Sequence, residues 1–134
     1  MKKAEFEVQT AVYGRLNGAL VCPVYDAVPE NPKYPFLEIG EAITTNNSLK
    51  NCNLQIVTVT FHTWDRWGSN ANISEINSAA VELMTVSNDT TPNFLTLTNF
   101  TVVNQFETGS QIIKDIDNQT RQLIQTMEIW CHQN

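Results

Sequence analysis

The clearest pattern in the chain is an alternation of apolar and polar residues over 54–64, LQIVTVTFHTW. Val57, Val59 and Phe61 alternate with Thr or His, which is the period of a β-strand with one face on a core. The predicted strands cover residues 24–25, 36–44, 54–64, 94–106 and 122–131, and in the last of them Gln125 interrupts an otherwise apolar face.

Residues 4–17 and 73–85 carry apolar side chains at three- and four-residue spacing, which predicts two helices. Gly18 follows the first helix, where a left-handed cap would end it. Asn72 precedes the second helix and Glu75 comes three residues later, the arrangement of a capping box. The expected buried stripe of the second helix consists of Ile73, Ile76, Ala80, Leu83 and Met84.

Three polar segments separate these elements, at 45–53, 65–70 and 107–119. The order of helix, strands, helix and strands, joined by short turns, favours antiparallel pairing of neighbouring strands. We therefore predict an α+β fold with a single domain over residues 1–134. In this fold a mainly antiparallel sheet carries both helices on one face.

The chain has 134 residues, with eight Lys or Arg against fourteen Asp or Glu and a formal net charge of −6. Nucleic-acid affinity depends on Lys and Arg that neutralise phosphates, so this balance argues against a DNA-binding surface. No apolar run reaches the roughly 18 residues of a membrane span, and charged residues follow Met1 where a secretory signal would be apolar. A reducing cytoplasm is expected, with free thiols at Cys22, Cys52 and Cys131.

Candidate chemistry is sparse. His62 lies on the strand face opposite the apolar residues, and His132 lies near the chain end, where a frayed terminus is expected. Asp115 and Asp117 imitate the start of a calcium-binding loop, but Thr120 stands where that loop needs glycine. The sequence therefore predicts no catalytic residues, no cofactor and no metal.

Two tryptophans flank a predicted loop and are candidates for contacts with other proteins. Trp64 either caps the core at the end of its strand or anchors an interface, and Trp67 is the better contact candidate. Leu49, in the polar segment 45–53, either makes an apolar contact that holds a hairpin together or is an exposed residue that contacts another protein.

One stretch resembles a known protein family. The chain is similar to the tail completion proteins, also called tail terminator or tail-to-head joining proteins, of bacteriophages with long non-contractile tails. The resemblance covers nearly the whole chain. It rests on Val24–Pro29 (VYDAVP), Pro35–Gly40 (PFLEIG), the strand Val57–Trp64, the helix Ile76–Leu83, and Asp115–Arg121 followed by Gln122–Trp130.

The resemblance implies a structural virion protein with no enzymatic activity, made in the host cytoplasm and located at the head–tail interface. Six copies would form a ring at the head-proximal end of the tail tube, with the free chain expected as a monomer. The implied partners are the head connector protein and the tail tube protein. DNA would pass through the ring without specific binding, and no membrane is involved.

Two alternatives stay open at this point: a small ligand-binding or enzymatic α+β domain, and another connector component such as a stopper. Under the ring hypothesis the segments 45–53 and 107–119 are expected to be mobile in the free chain and to order on binding. The expected protein contacts are Asn46, Asn47, Leu49, Lys50, Asn51, Trp67, Glu107, Ile112, Ile113, Lys114 and Asp115.

Overall fold

Two helices and seven strands make up the described part of the chain, which comprises residues 3–46, 53–66, 70–87, 91–114, 117 and 119–134 of a computed structural model. The helices are α1 (Glu5–Leu16) and α2 (Asn70–Thr85). The strands are β1 (Val24–Tyr25), β2 (Phe36–Asn46), β3 (Leu54–Arg66), β4 (Val86–Ser87), β5 (Thr91–Pro92), β6 (Phe100–Lys114) and β7 (Thr120–Gln133).

Five strands form one sheet in the order β1-β2-β3-β7-β6, and β4 pairs with β5 in a separate two-stranded ribbon. β1 runs parallel to β2, and every other pair in the large sheet is antiparallel. The predicted α+β fold with a mainly antiparallel sheet is therefore confirmed.

Both helices pack on the same face of this sheet, as predicted. Val57, Val59 and Phe61 of β3 are fully buried on that face, which confirms the alternation seen in the sequence. The apolar stripe of α2 is buried except for Leu83, which is half-buried. The helix residues in this core are Val8, Val12, Leu16, Ile73, Ile76, Ala80 and Met84.

Gly40 occupies a bulge in β2 between Ile39 and Ala42, where the register with β3 shifts. A Cβ atom at this position would lie 2.8 Å from the carbonyl oxygen of Thr60 and 2.9 Å from Nε2 of His62, so only glycine fits. The Gly40 carbonyl accepts a 2.9 Å hydrogen bond from the Gln9 side chain, which ties α1 to the bulge.

The position of β6 differs most from the prediction. The predicted strand began at residue 94, whereas β6 begins at Phe100 and continues through 107–114, which was expected to be a polar break. β7 pairs with this segment down to Lys114. Pairing with β7 thus makes a strand of residues 107–114 although few of them favour strands. An edge strand needs no alternation of apolar residues where both of its faces are exposed.

Residues 93–99 instead cross the helical side of the sheet without forming a strand. The Arg15 guanidinium donates to the carbonyl oxygens of Asn93 and Phe94, the latter at 3.0 Å. The Glu7 carboxylate accepts from the backbone N–H groups of Thr98 and Asn99 at 2.7 and 3.1 Å. These polar contacts fix the segment against α1.

Smaller differences concern the ends of elements. β2 extends to Asn46 and β3 to Arg66, so each takes two residues from a predicted break. α2 begins at Asn70, so Asn72 is not its N-cap; its side chain instead donates to the Asp65 carboxylate at 2.8 Å. His132 lies in β7, paired with Leu54 and Thr101, and the expectation of a frayed end there is wrong.

Candidate interaction surface

The second face of the sheet, which we call the open face, lies opposite the helices. Its side chains are half-buried by one another, and neither helix packs on it. It is built from alternate residues of the two central strands: Ile56, Thr58, Thr60, His62 and Trp64 of β3, and Gln122, Ile124, Thr126, Glu128 and Trp130 of β7.

An aromatic cluster occupies one corner of the open face, where the proline-rich segment before β2 folds over the sheet. Phe36 is only 3% exposed because the rings of Tyr25 and Tyr34 lie 5.4 and 5.1 Å from it. Trp64 also stacks on Phe36, with the ring centroids 6.3 Å apart. The Arg66 guanidinium lies 4.7 Å from the Tyr34 ring, a cation–π contact.

Trp64 therefore belongs to the open face, where it stacks on the buried Phe36 near the end of its strand. Its indole Nε1 donates to Glu38 at 3.2 Å. Trp64 and Glu38 line a shallow depression of about 260 Å³ together with Val28, Pro32, Tyr34 and Phe36.

A second aromatic pair lies toward the other edge of the open face. The rings of Phe106 and Trp130 are 6.1 Å apart, and the Trp130 indole donates to Glu128 at 2.9 Å. Large aromatic side chains that carry one hydrogen-bonding group are common in protein interfaces, because they bury a large area at a small cost in conformational entropy.

The predicted contact residues fall into three groups. Asn46 is exposed at the end of β2, on one side of the sheet. The structure brings together Glu107, Ile112, Ile113 and Lys114 on β6, at the opposite side, where Ile112 is 43% exposed. The predicted contacts Asn47, Leu49, Lys50, Asn51, Trp67 and Asp115 lie outside the described residues.

A buried polar network holds β6 in place from the helical side. Gln125, fully buried in β7, donates from Nε2 to the carbonyl oxygen of Gly109 at 2.9 Å, next to a bulge in β6. Its Oε1 accepts a 3.0 Å hydrogen bond from Asn77 of α2. The polar exception in the predicted apolar face is thus a link between α2 and the outer strand.

Asp117 stabilises the turn that leads into β7. Its carboxylate accepts from the backbone N–H groups of Gln119 and Thr120 at 2.9 and 2.8 Å, and from the Thr120 hydroxyl at 2.7 Å. These hydrogen bonds lower the pKa of Asp117 to about 2. Asp117 acts here as a turn residue.

Cys22 and Cys131 are buried free thiols, as predicted, and Cys52 lies outside the described residues. Burial, followed by the charge of Glu7, raises the pKa of Cys131 to about 11. Within the described ranges no group of three or more His, Cys, Asp or Glu is placed to hold a metal ion. None of the described helices is long and apolar enough to span a membrane.

Sequence reasoning missed Ile43, Phe106 and Trp130 as candidates for contact. For Trp130 a signal exists in the sequence: β7 carries Ile124 and Trp130 on the face opposite its apolar core residues. Apolar residues on both faces of a strand are typical of a sheet that is covered on both faces.

A sheet closed on one face by its own helices, with aromatic clusters on the other, is typical of a subunit that associates with further chains. Residues 10–132 match the family described as Tail completion protein gp17, so the chain belongs to that family. It is therefore a structural phage tail protein and a component of the virion.

The fold is similar to that of a chain in the virion of a native gene transfer agent (GTA) particle. The TM-score is 0.83 at 16% sequence identity, and the match covers 98% of this chain and 99% of that chain. No curated protein has a significant sequence match to this chain.

Proposed function

We propose that this protein forms a ring at the head-proximal end of the phage tail tube, where it ends the tube and joins the tail to the head connector. The whole chain, residues 1–134, acts as one tail completion domain. Its partners are the tail tube protein, the connector protein and other copies of itself. The ring contains six copies in total. It works by contact alone, without turnover of a substrate.

Family membership over residues 10–132 is the observation that carries this proposal. The arrangement of the sheet supports it, because a ring subunit needs surfaces toward neighbours on two sides as well as toward the tail and the head. The open face with its two aromatic clusters, and the outer strand with Glu107, Ile112, Ile113 and Lys114, offer such surfaces.

The charge of the protein is compatible with passage of DNA through the ring. Each copy has a formal net charge of −6. A ring of such subunits repels phosphates, so the genome passes the channel without binding to its wall.

Disruption of the gene in a producing phage tests the proposal. We expect heads filled with DNA beside unjoined tails, and tails of irregular length because nothing ends tube growth. Wild-type protein supplied from a plasmid should restore joined particles of uniform length, which is the matched control.

Three results would contradict the proposal. Complete, infectious virions without the protein would exclude a role in joining. Tails of uniform length together with heads that lose their DNA would instead assign the protein to a stopper in the connector. A melting temperature raised by a small metabolite, with no assembly on tails, would favour a ligand-binding domain.

A further inference from the structure

The large sheet has two free edges within the described part of the chain. β6 is paired only with β7, apart from a bridge between Thr96 and Thr101, so the backbone from Val103 to Lys114 faces outward without a partner strand. On the other side β1 pairs only with Leu37 and Glu38 of β2. The edge of β2 beyond these residues is also free, and free edges are templates for pairing with another chain.

The two free edges run in opposite directions. β2, β3, β7 and β6 are antiparallel in succession, so β6 points opposite to β2. When copies are related by rotation about an axis along the strands, β6 of one copy therefore meets β2 of the next in antiparallel orientation. The alternation of strand directions then continues from subunit to subunit.

The two free edges also lie at the same position along the strand direction. The pairing register joins Ile43, Thr58, Glu128 and Phe106 in one row across the sheet, all on the open face. The next row on that face joins Thr45, Ile56, Trp130 and Asn104. Each row thus begins on β2 and ends on β6.

Bulges limit the regular part of each edge to these same rows. β6 is regular from Asn104 to Glu107, between its two register shifts, and β2 is regular from Ala42 to Asn46. Both of these regular segments, one at each free edge of the sheet, carry apolar side chains. Ile43 is 61% exposed, Phe106 is half-buried, and Val103 at the adjoining bulge is 45% exposed.

We propose that β6 of one copy pairs antiparallel with β2 of a second copy, so that Ile43 lies opposite Phe106 on the open face of a continuous sheet. Phe106 of one copy then covers the exposed Ile43 of its neighbour. A cross-strand pair of aromatic and β-branched residues stabilises such a contact. The inference rests on the proposed ring and names the strands and residues that close it.

Engineered cysteines in joined virions test this pairing, in a background with Cys52→Ser. The Ile43→Cys/Phe106→Cys double variant should give a ladder of covalent oligomers on oxidation. A mixture of the two single variants should give dimers and nothing larger, because each copy then carries one reactive edge. The conservative pair Thr45→Cys/Asn104→Cys, one row away, should give the same ladder and replaces the first pair if Phe106→Cys impairs folding.

The matched control is Ile43→Cys/Ile113→Cys. Ile113 lies on the same strand and face as Phe106, but in the row of Gln122 and Trp64, three rows away and so roughly 20 Å along the strand. This control should remain monomeric on denaturing gels. A ladder from it would overturn the proposed register.

Three further results would overturn the pairing. These are dimers formed by Phe106→Cys alone, cross-links from position 106 to a different virion protein, and intact joined virions that contain both double variants but give no ladder. In all three the protein is still present at the joint, so the proposed function stands while the pairing fails. Absence of the protein from virions would refute the proposed function itself.

Discussion

The two faces of the large sheet use the same strands but reach different states in the single chain. On the helical face, Val57, Val59, Phe61, Met127 and Ile129 are fully buried by α1 and α2. On the open face, the intervening residues of β3 and β7 are only half-buried, and two of them are tryptophans. The comparison teaches that folding of the single chain buries one face fully and leaves the side chains of the other face half-buried.

The largest expected effect comes from removing a ring on the helical face. Phe61→Ala should lower the free energy of unfolding by about 3–5 kcal/mol, because a cavity replaces a fully buried ring. Phe106→Ala is the matched control on the open face and should cost about 1 kcal/mol. Urea unfolding of both variants measures the difference, and equal losses would contradict the contrast between the faces.

Two glutamines of β7 provide a smaller and sharper comparison. Gln125→Leu leaves the Asn77 amide and the Gly109 carbonyl without their partner in the core, so we expect a loss of about 2–3 kcal/mol. Gln122→Leu removes a half-buried contact with His62 on the open face and should cost less than about 1 kcal/mol. Denaturant midpoints check both values, and a larger loss at position 122 would reverse the assignment of the faces.

The smallest expected effect concerns the turn that joins β6 and β7, which belongs to neither face. The pKa of Asp117 is lowered to about 2 in the folded chain, so its contribution to stability is present above the ordinary pKa near 3.8 and is lost as the pH falls toward 2. Asp117→Asn should therefore lower the thermal midpoint at pH 7 and much less at pH 2. An equal difference at both pH values would show that the carboxylate charge is not the cause.

Much of the fold could be predicted because local patterns and tertiary packing agree. β3 alternates from Val57 to His62 and α2 carries an apolar stripe, so the period of each segment alone identifies the element and its buried face. Gln125 was recognised as a polar residue on an apolar face, although its partners Asn77 and Gly109 are 48 and 16 residues away and could not be read from the pattern.

The candidate surface was harder to predict. Glu107, Ile112, Ile113 and Lys114 were expected in a mobile polar segment, but they lie in a strand that pairing with β7 defines. Their status as protein contacts stays a prediction. Ile43 and Phe106 carried no signal of their own, because their shared row exists only once β2, β3, β7 and β6 are aligned.

The sequence by itself determined the elements with regular apolar periods, the helical face of the core and the resemblance to tail completion proteins, since these depend on residues close together in the chain. Only the tertiary structure decided which strands lie at the edges, which residues share a row and which face stays open. The physical reason is that strand order and register arise from hydrogen bonds between distant segments, which no local pattern encodes.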